Sequence, residues 1–346
     1  MTPGSKTSLL ASVLLLAGLL SCKNQPPKQF SEGQVLGGQQ VSAHTLNIGL
    51  DSYTRHCYAC HGVDGDGRGP SSPGLRPPPR DFRTATYKFG GAVDGLPHDE
   101  DLTRIIKYGL HGTAMHPWDV PDAEIAGIVQ YIKTFSPEGE GWRDPDEVIG
   151  ERIVPTEDPY GAENVEAAIA KGAELYHGFA TCQSCHPAYV TKAAIWDYSE
   201  AHNKRAEFRE NMYLPELKDS DYEVEGVMMT ILPPDFTWDP VRSIRPEHSK
   251  EDIYRVIGAG IGGTAMPTWK GVIEEEELWA LVYYVDSLIV LKDTAGGIEL
   301  RRSLADQPEF VPPSDEEEGE EGEGSDDAPA EDAPVEDAPA GENGEN

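Results

Sequence analysis

One five-residue pattern, Cys-x-x-Cys-His, occurs twice in the 346-residue chain and constrains it more than any other feature. At this spacing, two thiols can add to the vinyl groups of one haem, and the histidine that follows can bind its iron. The pattern predicts two covalently bound haem c groups, and with them electron transfer. The predicted attachment residues are Cys57, Cys60, Cys182 and Cys185, and the predicted proximal ligands are His61 and His186.

Cysteine usage supports this interpretation. Four of the five cysteines lie in the two motifs, and the fifth, Cys22, is interpreted separately below. The same Cys-x-x-Cys spacing also occurs in thioredoxin-like redox pairs and in halves of structural zinc sites. A redox pair normally lies in a βαβ unit, and zinc requires four ligands together. Each pair here is isolated and is followed directly by histidine, which favours haem attachment.

The N-terminal segment is typical of an exported protein. Lys6 provides a positive region, and residues 9–20 form an apolar stretch that is short for a membrane-spanning helix. The small residues before Cys22 resemble the lipobox of bacterial lipoproteins. This resemblance predicts a signal peptide at residues 1–21 and a lipid anchor at Cys22, which would hold the protein on a bacterial membrane facing the periplasm or the cell exterior. An ordinary secretory signal and an uncleaved anchor helix are the alternatives.

Composition and repeats divide the rest of the chain into two haem modules with connecting segments. We predict a tether at 22–43, a first domain at 44–137, a linker at 138–163, a second domain at 164–296 and a disordered tail at 297–346. The second domain carries an insert of nearly thirty residues, for which we predict helical sequence at 196–211 and a surface or packing role.

Residues at helical spacing lie before and after each of the two motifs. Gly49 and Tyr53 lie four residues apart before the first motif, and Gly172 and Tyr176 repeat that spacing before the second. Apolar spacing predicts further helices at 99–110, 122–135, 251–257 and 278–288. The glycine-rich residues 62–70 follow the first motif and are predicted to form a loop around the haem. They lack the later ligands that a calcium loop requires. The fold class that follows is mainly α and loop-rich.

A second repeat, Gly-Thr-Ala-Met, ends at Met115 in the first module and at Met266 in the second. Met115 is the only methionine between residues 2 and 211. A lone methionine is ordinarily a packing residue. A duplicated tetrapeptide is hard to explain by packing alone.

This order of helix, haem motif, loops, helix, methionine loop and final helix resembles the class I cytochrome c fold. In that family the loop methionine is the sixth iron ligand. The resemblance therefore implies two tandem cytochrome c class I-like domains, with Met115 and Met266 as distal ligands. His111 and His116 are the alternatives in the first module, because bis-histidine ligation would suit a haem of lower potential.

The charge of the chain restricts its partners. A net charge of −33 argues against nucleic acid or a bare anionic membrane, and it favours redox proteins with a basic docking surface. Residues 314–346 hold 15 of the 61 acidic residues and no Lys or Arg. Such a tail could act as a solubilising brush, as an electrostatic lure for a basic partner, or as a cation sink.

The favoured function is that of a membrane-tethered diheme c-type cytochrome that transfers single electrons between respiratory redox partners, with no catalytic residue of its own. One alternative is a diheme peroxidase, which needs an open haem face and an acid-base group. The other is a haem subunit of a larger respiratory oxidoreductase, including a subunit used mainly for assembly. The third subunit of cbb3-type oxidases belongs to this class, but it has a membrane helix, and this sequence offers only the signal region for one.

Overall fold

A computed structural model describes residues 28–224 and 227–313. The signal region, Cys22 and the acidic residues after 313 lie outside the described residues, so the hypotheses about them stay predictions. Helices and loops predominate, and the strands form three two-stranded pairs. The predicted mainly α, loop-rich fold is confirmed. Among the described residues, no helix is both long enough and apolar enough to cross a membrane.

Both modules share the order of a helix, the haem motif, a helix before the methionine loop and a helix after it, and each adds elements of its own. The first module contains β1 (Gln34–Leu36), β2 (Gln39–Val41), α1 (Ala43–His56), the short α2 (Tyr58–His61), β3 (Ala92–Val93), α3 (Asp99–Tyr108) and α4 (Asp122–Lys133). After the connecting β4 (Glu151–Arg152), the second contains α5 (Val165–Glu174), α6 (Lys192–Ala201), β5 (Lys218–Val224), β6 (Val227–Ile231), α7 (Ser249–Ala259), α8 (Glu275–Val290) and α9 (Ala295–Ala305). Antiparallel pairing joins β1 with β2, β3 with β4, and β5 with β6.

A close crossing of α1 and α4 builds the core of the first module. The Ser42 hydroxyl caps α1 by accepting a hydrogen bond from the backbone N–H of Thr45, 3.1 Å away. Gly49, in the middle of α1, lies directly against the backbone of α4. A Cβ atom at this position would be 2.0 Å from the carbonyl oxygen of Gly127. The two helices can therefore approach this closely only because residue 49 has no side chain.

The second module repeats this crossing with α5 and α8. Here a Cβ atom on Gly172 would be 2.1 Å from the carbonyl oxygen of Ala280 and 2.6 Å from the Cβ of Tyr284. The α5 helix continues directly into a π-helical turn at Leu175–Phe179, which holds the buried Tyr176. Gly49 and Gly172, which spacing predicts to be equivalent, thus make the same type of helix–helix backbone contact in the two modules.

Ion pairs at the start of α3 and α7 join the two modules. Asp101 and Asp252 occupy equivalent positions, and their carboxylates are 1% and 0% exposed. Arg104 contacts both, with N···O distances of 3.4 Å. Arg245 donates two further bonds to Asp252, at 2.7 and 2.9 Å. Because an unpaired buried charge is costly, this network favours one arrangement of the two modules. The described residues up to Pro308 accordingly belong to one compact unit.

The predicted tether at 22–43 is wrong for its second half. The strands β1 and β2 form a hairpin there that buries Leu36 and Val41 against Leu46 of α1. The backbone N–H of Gly37 also donates to the carbonyl of Trp142, at 2.7 Å. Two well-spaced apolar side chains and a Gly-Gly turn suffice to fold a segment that looks polar overall.

The segment at 138–163, for which a linker is predicted, is packed rather than loose. Trp142 and Ile153 are 1% and 2% exposed, and each belongs to the core of a different module. The strand β4 in this segment pairs with β3 of the first module. The connecting segment therefore contributes core residues to both modules.

Two predictions for the second module are corrected. The helix predicted at 196–211 is instead α6, which ends at Ala201, and the later part of the insert forms the β5–β6 hairpin. The tail predicted to be disordered from residue 297 begins with α9. The Thr294 hydroxyl caps this helix, Leu304 is buried in it, and Leu300 packs against the core. A few apolar residues at helical spacing and one cap outweigh the polar composition.

The glycine contacts give the first prediction. Replacing Gly172 with alanine should reduce the free energy of unfolding by about 3 kcal/mol, because the new methyl group would overlap the Ala280 carbonyl and force α5 and α8 apart. Denaturant unfolding measures the loss. The matched control is Gly296→Ala in α9, where the new methyl would meet only side-chain atoms, the end of Leu291 at 3.2 Å and the Thr294 hydroxyl at 3.6 Å. Equal stability of the two variants would contradict the close-packing argument.

Candidate haem sites

The two Cys-x-x-Cys-His segments adopt equivalent turns. The N–H of His61 donates to the carbonyl of Cys57 at 3.0 Å, and the N–H of His186 donates to that of Cys182 at 2.9 Å. The cysteines of both motifs are free and partly buried. Burial raises the pKa of the Cys57 and Cys182 thiols to about 12, and a neighbouring cysteine adds to the shift. Each turn thus presents two thiols, the first of which burial keeps neutral, and one imidazole within five residues.

The His61 ring is held on two sides. Its Nδ1 lies 3.1 Å from the carbonyl oxygen of Arg80, and its ring stacks on Phe82 with a centroid distance of 4.5 Å. A carbonyl can only accept a hydrogen bond, so Nδ1 carries the proton and Nε2 keeps its lone pair. Burial lowers the pKa of His61 to about 4, which keeps the ring neutral. A neutral imidazole with a fixed tautomer is the form that binds a metal.

His186 is held in the same way. Its Nδ1 lies 3.1 Å from the carbonyl oxygen of Pro234, and its ring stacks on Phe236 at 4.8 Å. Burial lowers its pKa to about 4 as well. In both modules the accepting carbonyl precedes the stacked phenylalanine by two residues. The accepting residues, Arg80 and Pro234, lie in the proline-rich loops that follow the two motifs.

Equivalent tyrosines attach each motif to its helix. The Tyr53 hydroxyl donates to the carbonyl of Gly62 at 2.7 Å, and the Tyr176 hydroxyl donates to that of Pro187 at 3.0 Å. Gly62 and Pro187 each follow the motif histidine directly. The tyrosines therefore connect the helix before each motif with the chain that leaves it.

The Gly-Thr-Ala-Met segments form matching closed loops. In the first module the N–H of Leu110 donates to the carbonyl of Met115 at 2.8 Å, and the N–H of Met115 donates to the Thr113 hydroxyl at 3.0 Å. The corresponding bonds in the second module have lengths of 3.3 and 3.2 Å and involve Met266 and Thr264. The threonine thus fixes the backbone next to each methionine, and both methionines pack against the core of their own module.

The two histidines that compete with Met115 lie elsewhere. His116 is exposed. His111 is partly buried beside Arg104 of α3 and Ser243 and Arg245 of the second module. Its surroundings are therefore the contact between the modules, whereas Met115 packs against the core that contains Cys57.

Two buried donors near the first site, the Tyr87 hydroxyl and the Trp142 indole N–H, lack a hydrogen bond of good geometry among the described residues. Burial raises the pKa of Tyr87, and the approach of the Trp142 N–H to its oxygen and the charge of Arg80 partly oppose that rise, which places all three groups near one another. An anionic oxygen beside them would satisfy these donors. Haem carries carboxylates at one edge, so these residues fit a haem in the first module. Sequence patterns did not indicate Tyr87 or Trp142, because neither belongs to a repeat.

The fold and the two sites define a c-type cytochrome. The chain belongs to the family described as cytochrome c oxidase, cbb3-type, subunit III, which it matches over residues 45–132 and 167–285. This family contains covalently bound haem c, and its domains indicate electron transfer.

A solved structure is also similar to this chain. It is a chain of the Kuenenia stuttgartiensis reducing HAO-like protein complex Kustc0457/Kustc0458. The two are 27% identical with a TM-score of 0.51, and the match covers 70% of this chain and 96% of the other. Among curated proteins, a search finds no significant match.

A third histidine, His177, is buried close to the second motif but is fully hydrogen-bonded within the protein. Its Nδ1 donates to the carbonyl of Ala173 at 2.8 Å, and its Nε2 accepts from the N–H of Tyr189 at 3.2 Å. Burial lowers the pKa of this ring from 6.5 to about 4. His177 is therefore a neutral structural residue of the π-helical turn.

This shift gives a pH prediction. Between pH 6.5 and 4 the unfolded chain binds the proton and the folded protein does not, so stability falls as the pH falls. Going from pH 7 to pH 5 should cost about 2 kcal/mol through His177 alone. Denaturant unfolding at both pH values measures the decrease in the free energy of unfolding. The decrease should be smaller by this amount in His177→Gln and unchanged in the exposed control His44→Gln. An unchanged acid loss in His177→Gln would contradict the assignment.

Proposed function

We propose that this protein is a membrane-tethered diheme c-type cytochrome that transfers single electrons between respiratory redox proteins. The observation that carries the proposal is the duplication of a whole site. Each module has two thiols, an oriented neutral imidazole and a closed methionine loop, held by equivalent hydrogen bonds. Two such sites in one compact unit suit a carrier that moves electrons and performs no chemistry on a substrate.

In this proposal Cys57 and Cys60 attach one haem, and His61 and Met115 are its axial ligands. Cys182, Cys185, His186 and Met266 have the same roles for the second. When bound, haem supplies an iron that can gain and lose one electron. The hydrogen bonds that hold each histidine ring and each methionine loop would keep these ligands in place, so that little rearrangement would accompany the change. The placement of His111 at the contact between modules supports Met115 as the ligand.

A role as the haem subunit of a larger oxidoreductase is a second form of this proposal. It is supported by the family and by the similar structure, which is described as part of a complex of two proteins. The net charge of −33 supports a partner with a basic docking surface.

The peroxidase alternative is less well supported, because each methionine loop packs against the other half of the chain. Gly112 lies against Pro240, and the N–H of Gly262 donates to the carbonyl of Lys88.

The number of haems is tested by mass. Purified mature protein should carry the mass of two haems, and this mass should remain after acid-acetone extraction because thioether bonds are covalent. Cys182→Ser with Cys185→Ser should remove one of the two and leave the other as the internal control. A mass of one haem or none in the unmutated protein would refute the diheme proposal.

The distal ligands are tested by absorption spectroscopy. An iron–thioether bond gives a weak band at the red edge of the oxidised spectrum, and a neutral soft ligand raises the reduction potential. Met115→Ala and Met266→Ala should each remove about half of this band, lower one potential, and open one iron to carbon monoxide. His111→Ala and His116→Ala are the controls and should leave the band intact. Loss of a haem signal in either histidine variant would indicate bis-histidine ligation. One high-spin haem together with peroxide turnover in the unmutated protein would favour the peroxidase.

The membrane anchor is a separate part of the proposal and rests on residues 19–22 of the sequence. Acylation of Cys22 after export would place both haems at a bacterial membrane surface, facing the periplasm or the cell exterior, and firm attachment needs more than one acyl chain. Cys22→Ser should leave the precursor unprocessed by the lipoprotein route and shift the protein out of the membrane fraction. Unchanged acylation and fractionation of that variant would exclude Cys22 as the anchor.

A further inference from the structure

The insert of the second module carries Tyr222, which contacts both modules. Tyr222 lies on β5, is 9% exposed, and donates from its hydroxyl to the carbonyl of Gly262 at 2.5 Å. Gly262 lies four residues before Met266, in the methionine loop. The β5–β6 hairpin, which sequence patterns did not predict, therefore supports the loop that holds the proposed distal ligand.

Further contacts join β5 to this loop. The N–H of Asp221 donates to the carbonyl of Gly263 at 3.1 Å, and Ser220 forms an antiparallel bridge with Thr264. Gly263 has a positive φ of 67°, and a Cβ atom there would lie 2.7 Å from the Tyr222 ring. The loop thus lies directly against the tyrosine, with no space for a side chain between them.

The Tyr222 ring also contacts cations of the first module. The Arg80 guanidinium carbon lies 3.6 Å from the ring centroid, and the Lys88 ammonium lies 5.1 Å from it. Arg80 has no carboxylate within ion-pair distance in the described part of the chain. The ring is therefore the main partner of this cation. The carbonyl of the same residue accepts the hydrogen bond from His61, the proximal histidine of the first site.

We propose that Tyr222 is a positioning residue for the Met266 loop, and that Arg80 holds it in place from the first module. The proximal side of the first site and the distal side of the second are then connected through one arginine and one tyrosine. This inference rests on the proposed ligation by Met266. It gives the insert a function, which is to couple the ligand loop of one haem site to the other module.

The test measures the rate at which added imidazole displaces Met266 from the iron. All variants are made in the Met115→Ala protein, so that the remaining red-edge band reports on Met266 alone. Tyr222→Phe removes one buried hydrogen bond to the loop and should speed displacement about fivefold. Arg80→Gln, a change in the other module, should speed it about threefold, because the cation no longer holds the ring.

The controls are Arg83→Gln and Tyr160→Phe. Arg83 is three residues from Arg80 and pairs with Asp81, and Tyr160 donates to the carbonyl of Glu276, away from the loop. Neither change should alter the rate. A double-mutant cycle separates the bridge from independent effects. In a Tyr222→Leu background, Arg80→Gln should have no further effect, because the ring through which it acts is gone.

Each outcome has a distinct meaning. If the Met115→Ala protein has no red-edge band, Met266 is not the ligand, and the proposed function fails in that respect. If the band is present and both variants match the controls, the positioning role of Tyr222 is wrong. If only Tyr222→Phe acts, or if Arg80→Gln acts equally in the Tyr222→Leu background, the connection between modules is wrong. Should Tyr222→Leu not fold, the single variants Tyr222→Phe and Arg80→Gln still decide the proposal.

Discussion

The direct contact between helix backbones at Gly49 and at Gly172 is the constraint on which both modules depend. Each glycine allows the helix before a haem motif to lie against α4 in the first module or α8 in the second. The motif begins eight residues after Gly49 and ten residues after Gly172, and Tyr53 or Tyr176 fixes the chain that leaves it. The position of each histidine relative to its methionine loop is thus set by a crossing that permits no side chain. The costs of shifting it would be backbone overlaps, which side-chain rotation cannot relieve.

Repetition explains why so much of the site could be predicted from sequence. Three features occur twice: the haem motifs, the glycine and tyrosine before them, and the methionine loops. Each is a short local pattern whose structural role follows from its residue types and spacing. The proline-rich loops that hold each histidine, with a phenylalanine two residues after the accepting carbonyl, also occur twice. Helices with strong apolar spacing, such as α3, α4 and α8, lay close to their predicted positions.

Features that occur once were missed. The hairpin β1–β2, the packed connecting segment, the β5–β6 hairpin and α9 all have polar or mixed composition, and their few buried residues have partners far away in sequence. Trp142 illustrates the difficulty, because it lies in a stretch rich in Pro, Gly and acids and yet is 1% exposed. Such segments pack against cores that other parts of the chain form. Their own sequence carries little periodic signal, and composition alone assigns them to linkers and tails.

The packing of Gly112 against Pro240 has a consequence for the order of assembly. Residue 240 lies 125 positions after Met115, so the loop of the first module reaches its final packing only when much of the second module is in place. A chain synthesised from its N-terminus presents the first pair of thiols early. Its first methionine loop stays incompletely supported until the second half arrives. Maturation of the two sites is therefore interleaved, and the first haem site is started first but is not completed independently of the second.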